Sequence, residues 1–229
     1  WERRNPMVIG ESKPLAEILE KVKDFKKIVV AGCKGCVTVC CVGGEKEVAI
    51  LASELRIARK SAGDELEVKE YTCERQCDPE YIEALDDLVA DADAVVSIAC
   101  SVGPQYIVAR YPYLKVFPGV NTTSIGGAVE HGVWKEFCQA CGNCIIGDFG
   151  GLCPITRCAK QLLNGPCGGS SQGICEVGKG SIPCIWQLIY DRLQNLGELH
   201  KLTEVKLYKN WSTSRDGGLR TSIREELKQ

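Results

Sequence analysis

The sequence predicts an α/β fold, a doubly wound, Rossmann-like parallel sheet followed by a small cysteine-rich metal-binding domain with a C-terminal helix. Three observations predict it. Short apolar runs alternate with segments of helical period over roughly the first 120 residues. Cysteines stand directly after three of those runs. Eight further cysteines and ten glycines then crowd the stretch from Cys138 to Cys184, where few large apolar side chains are available. Such a stretch needs something besides hydrophobic burial to order it, and a structural metal supplies about 10–16 kcal/mol in zinc-finger peptides.

Taken in order, Ser12–Phe25 reads as a helix, with Pro14 in its first turn and Leu15, Ile18, Leu19, Val22 and Phe25 on one stripe. The apolar run Lys27–Ala31 is a buried strand that ends at Gly32-Cys33. Gly43–Lys60 is helical, with Val48, Leu51, Leu55 and Ala58 on one face. The pattern then repeats with a strand at Leu66–Tyr71, Cys73 and Cys77, and a helix capped by Asp78-Pro79 and carrying Ile82, Leu85 and Leu88. Ala94–Ala99 is the third strand and ends at Cys100; Tyr106–Ala109 is helical and Leu114–Phe117 a fourth strand. Asn121–Gly132, rich in glycine and threonine, reads as a linker. After the cysteines, Pro183 opens a helix with Ile185, Leu188, Ile189, Leu193 and Leu196, closed by Gly197. The resulting organisation is an α/β domain over 7–125, a cysteine-rich domain over 126–202, and a charged tail over 203–229 that reads as solvated.

A net charge of −2 and the absence of a basic stripe point away from nucleic acid, and no apolar run is long enough to span a membrane. Fifteen cysteines, an odd number, with repeated Cys-x-x-Cys and no secretory signal favour metal ligation over disulfides. A reducing, cytoplasmic compartment follows. In a parallel sheet, the loops after the first three strands emerge at one edge. Cys33, Cys36 and Cys40 on the first loop are therefore expected to meet Cys77 and Cys100, up to 67 positions away, as a metal site, with Cys41 and Cys73 as spares.

The second set is Cys138, Cys141, Cys144, Cys153, Cys158, Cys167, Cys175 and Cys184. Three thiols in Cys138-x2-Cys141-x2-Cys144 match one corner of an iron–sulfur cubane better than the separated pairs of a zinc module. Eight ligands serve two four-iron clusters, or one cluster and one Zn²⁺. The two histidines, His131 and His200, sit in unrelated contexts, and no acid, base or nucleophile stands out. Gly32-Cys33-Lys34-Gly35-Cys36 lacks the spacing of a nucleotide loop.

The stretch Gly151-Leu-Cys-Pro-Ile-Thr-Arg-Cys-Ala-Lys-Gln-Leu-Leu-Asn-Gly-Pro-Cys-Gly-Gly169 resembles the methylenetetrahydrofolate reductase C-terminal domain family. That family is the small cysteine-rich subunit of acetogen-type reductases. The resemblance continues through Cys175 and Cys184-Ile-Trp-Gln-Leu-Ile-Tyr190, and through Cys33–Cys40, Gly43-Gly-Glu-Lys-Glu-Val48, Cys77 and Cys100. It implies an electron-transfer subunit with [4Fe-4S] clusters, two or more, zinc being the other metal associated with the family. Implied partners are a flavin-containing catalytic subunit reducing 5,10-methylenetetrahydrofolate to 5-methyltetrahydrofolate, and a donor such as ferredoxin or a larger electron-bifurcating, NADH-oxidising module. The alternative is a zinc-held docking subunit without a redox role.

Overall fold

The computed structural model describes residues 7–130, 132–178, 180–214, 221 and 223–227. The chain divides into two compact units, one ending at Glu136 and the other beginning at Phe137. The first opens with strand β1 (Val8–Ser12), helix α1 (Leu15–Val22) and strand β2 (Lys27–Cys33). A single turn, α2 (Cys36–Val39), leads to the long helix α3 (Glu45–Ser61) and strand β3 (Glu67–Cys73). The expected helix after Asp78 is broken into α4 (Pro79–Ile82), a 3-10 turn and α5 (Asp86–Val89), and Asp78 caps it by accepting the Glu80 N–H. Strand β4 (Ala94–Ser97), helix α6 (Val102–Arg110) and strand β5 (Lys115–Pro118) follow.

Strands β3, β2, β4 and β5 form, in that order, a parallel four-stranded sheet. The expected alternation of strands and helices is thus present. Its two middle strands carry Ile28, Val29, Val30, Ala31 and Ala94, Val95, Val96, all essentially without exposure. Apolar runs of that kind suit strands covered on both sides. One side packs on α1 and α3 through Ile18, Val22, Val48, Leu51 and Leu55; the other packs on α4, the 3-10 turn after it and α6 through Ile82, Leu85 and Ile107. β3 alternates and exposes Glu70, as an edge strand allows.

The presumed linker is the main departure. Residues 120–130 form the strand β6 (Val120–Glu130), which pairs antiparallel with β1 and lies beside β7 (Val133–Cys138) in a second sheet. Glycine is unusual in strands, but a Cβ at Gly126 would run into the backbone of Lys135 and Glu136. The glycine there records close approach of a neighbouring strand. β1 itself was not foreseen, because its partners, such as Ile125 for Val8, lie more than a hundred residues away. His131 lies outside the described residues.

The second unit contains one turn of helix, α7 (Pro154–Arg157), and one long helix, α8 (Ile185–Asn195). Gly197, at φ +69°, ends α8 as expected, with the Glu198 N–H bonded to the Leu193 carbonyl. The core is small: Phe149, Ile185, Trp186, Ile189 and Leu193, with the Phe149 and Trp186 rings edge to face. The start of the tail is not solvated as expected. Lys209 is buried and donates to the Asn143 carbonyl, Thr213 donates to the Cys141 carbonyl, and the Asn164 side chain both donates to and accepts from the Lys206 backbone. Gly217 and Gly218 lie outside the described residues. Among the described residues no helix is long and apolar enough to cross a membrane.

Candidate metal centres

The strand order reverses between β2 and β4, and ligands of open parallel sheets bind outside the carboxyl ends of strands at that reversal. Cys33 ends β2, Cys77 follows β3 and Cys100 follows β4. The structure brings these three within electrostatic reach of one another, and Cys36 within reach of Cys33. Burial pushes the Cys33 thiol up, and the charges of Cys100 and Cys36 add to the push; burial, then Cys100 and Cys33, do the same to Cys77. Working the other way at Cys33 are the backbone N–H groups of Gln76 and of Gly35, the latter 3.4 Å from the sulfur. Thiols that share a site and accept backbone N–H bonds are built to carry charge once a cation neutralises them.

Cys40 borders this group through Cys36. It senses Cys36 and Cys41, and its sulfur lies 3.6 Å from the Val8 carbonyl of β1 and accepts the Gly10 N–H. Cys41 is exposed at φ +56°. Cys73 is 1% exposed in the core with Val29, Ala31 and Ile82, where burial first and then Cys33 push its thiol from 9.0 up to about 11. A raised value means that the folded chain keeps this proton after the unfolded chain has lost it. Stability is therefore complete below pH 9.0 and declines as pH climbs towards about 11. Alkylation of Cys73 by iodoacetamide is accordingly expected to stay negligible in the folded chain at pH 9, where Cys41 reacts freely; comparable labelling of both would contradict it.

In the second unit, Cys138 ends β7 and its sulfur accepts the Ala140 N–H at 3.3 Å. Ala140 and Gly142, both at positive φ, bend the loop carrying Cys138, Cys141 and Cys144. A Cβ at Gly142 would strike the Thr213 backbone, so the tail closes over this loop. Cys153 stands before α7, its sulfur 3.6 Å from the Thr156 hydroxyl. Cys158, Cys167, Cys175 and Cys184 line one cavity of ≈ 20 Å³ together with Glu176 and Trp186. Here the Cys167 sulfur accepts the Gly169 N–H at 3.4 Å and donates to Glu176, which Lys160 also engages. The pattern of a cysteine sulfur accepting the N–H two residues on recurs at Cys33, Cys138 and Cys167.

The residues fit a thiolate-bound metal on one further count. Trp186 lines that four-cysteine cavity, and its indole N–H is buried without a hydrogen-bond partner. Leaving a buried donor unpaired costs about 1–3 kcal/mol; a charged sulfur in the cavity is an acceptor suited to it. Among the described residues, no three cysteine, histidine or carboxylate side chains stand at metal-ligand spacing. Sequence reasoning gave no role to Trp186, although it lies in the stretch Cys184–Tyr190, and missed Gln76, which carries no motif; burial marks both out. Comparison with family models matches residues 117–212 to the family described as "Methylene-tetrahydrofolate reductase C terminal". No curated protein and no solved structure matches the chain.

Proposed function

Through residues 117–212 the chain belongs to the methylenetetrahydrofolate reductase C-terminal family, and from that premise we propose that it is a cytoplasmic electron-transfer subunit of such a reductase. The partner is the flavin-containing catalytic subunit that reduces 5,10-methylenetetrahydrofolate to 5-methyltetrahydrofolate. Electrons come from ferredoxin or a larger electron-bifurcating, NADH-oxidising module. The first unit is read as Rossmann-like, its ligand site the reversal point of the sheet. The observation that carries the proposal is the gathering of Cys33, Cys36, Cys77 and Cys100 at that point, with two backbone N–H groups aimed at one sulfur.

Three groups of four account for twelve of the fifteen cysteines: Cys33/36/77/100, Cys138/141/144/153 and Cys158/167/175/184. Cys40, Cys41 and Cys73 remain outside them. A [4Fe-4S] cluster held by such a group supplies one-electron transfer. The chain's own residues do the rest. Glycine and alanine N–H groups offset the negative charge of the sulfurs, and burial of Cys33 and Cys184 keeps water away from them. No proton donor or acceptor is required of this chain.

Zinc is the second reading, and one observation favours it at one group. The cavity among Cys158, Cys167, Cys175 and Cys184 has room for about one water molecule. A single Zn²⁺ asks for a smaller rearrangement of these thiols than an eight-atom cluster core does. Anaerobic quantitation of iron, sulfide and zinc tests both readings. Cys141→Ala is expected to remove one group's iron and sulfide and leave the rest, while Cys41→Ala keeps the full content. Equal loss from the two variants would sink the ligand assignment, and zinc alone in the wild-type chain would sink electron transfer.

A further inference from the structure

The amide of Gln76 lies wholly buried in the first unit, between Cys73 and Cys77. Glutamine is a surface residue by habit, and this one leaves none of its polar atoms idle. Its Nε2 donates to the carbonyls of both Ala31 and Gly32, each at 2.8 Å, and its Oε1 accepts the Ser97 hydroxyl at 2.7 Å. Ala31 and Gly32 belong to the last turn of pleat in β2, and Ser97 ends β4. These are the two strands between which the sheet order reverses. Ser97 Oγ in turn lies 3.4 Å from the Ala99 N–H, on the way to Cys100. The fit is close: a Cβ at Gly103 of α6 would stand 2.7 Å from Gln76 Oε1.

We infer that Gln76 is the positioning residue of the first four-thiol group: its side chain ties the loop after β3 across the ends of β2 and β4, and so sets Cys77 against Cys33 and Cys100. The inference rests on reading those thiols as a metal site. Three loops supply the group, and loops are free to drift unless something common holds them. Among the described residues, backbone bonds join these ends in pairs, Lys34 N–H to the Cys73 carbonyl and Ile98 N–H to the Ala31 carbonyl. Among the described residues, Gln76 is the side chain that bonds from the loop after β3 to the ends of both β2 and β4. A fully satisfied polar network of this kind fixes one arrangement where an apolar side chain of equal size would not.

The test uses the full chain, reduced and stripped of metal, oxidised briefly with diamide, with the disulfides mapped by mass spectrometry. In the wild-type chain Cys77 is expected to couple to Cys33 or Cys100. Gln76→Met keeps the volume and loses all three bonds, and it is expected to lower that coupling at least about tenfold, since reaction between placed groups depends steeply on their placement. Coupling between Cys167 and Cys175 is expected to be unchanged. If Gln76→Met does not fold, Ser97→Ala decides, because it removes one bond of the three; coupling lowered by about threefold is expected from the same dependence. Unchanged coupling in a folded variant overturns the inference, as does a wild-type chain in which Cys77 couples to neither partner. Wild-type coupling that is sensitive to Gln76, in a chain that takes up neither iron nor zinc at these thiols, supports the positioning role and overturns the metal reading instead.

Discussion

Removing metal anaerobically with a chelator is expected to unfold the stretch 138–184 while the parallel sheet of the first unit keeps its structure. The difference lies in what each unit buries. The first unit covers both sides of its sheet with helices and holds fully buried residues on each. The second has one long helix, one single-turn helix and a core of a few residues around Trp186. A helix of eleven residues is marginal by itself, and loops bent at Gly142, Gly150, Gly151, Gly165, Gly168 and Gly173 lose much chain entropy on ordering. Binding free energies of about 10–16 kcal/mol for structural zinc in small peptides show what thiolate ligation contributes. Hydrogen exchange read by mass spectrometry checks the prediction. Protection in peptides covering Cys153–Cys184 should vanish on stripping and return on reconstitution, with β2 and β4 unaffected. Persistent protection of the stripped second unit would show that its own packing suffices.

Gly43→Ala is expected to be among the most damaging single-methyl changes in the first unit. A Cβ at Gly43 would collide with the Ile98 carbonyl and stand 2.6 Å from Val37 Cγ2. Neither is a flexible side-chain end that can swing aside. The same residue accepts the Cys33 N–H at 2.8 Å, so relief of the clash pulls on a site cysteine. Overpacking of this kind costs about 1–3 kcal/mol, and loss of the first group's metal should accompany it. Gly127→Ala is the control, since a Cβ there meets nothing within 4 Å. Urea unfolding should show a lower midpoint for Gly43→Ala with unchanged slope and no more than a small shift for Gly127→Ala. Equal midpoints for the two variants would mean that the loop yields freely.

The amino-acid sequence by itself determined the elements whose signal is local. The apolar runs of β2 and β4 mark strands buried on both sides, the stripe from Leu15 to Phe25 marks α1, and Pro183 with Gly197 brackets α8. Alternation of such elements makes a parallel sheet, and a parallel sheet places the ends of its strands at one edge. The meeting of Cys33, Cys77 and Cys100 was legible for that reason. Only the tertiary structure decided what depends on distant partners. β6 is a strand because β1, more than a hundred residues earlier, pairs with it, and Gly126 records the close approach of β7 on it. The tail folds back because Lys209 and Thr213 find carbonyls on the cysteine loop. The contact of Cys40 with Val8 of β1, the burial of Cys73 and the hydrogen bonds of Gln76 have the same origin. Periodicity reports which face of an element is apolar, whereas the partner of a single polar group is chosen by the whole fold.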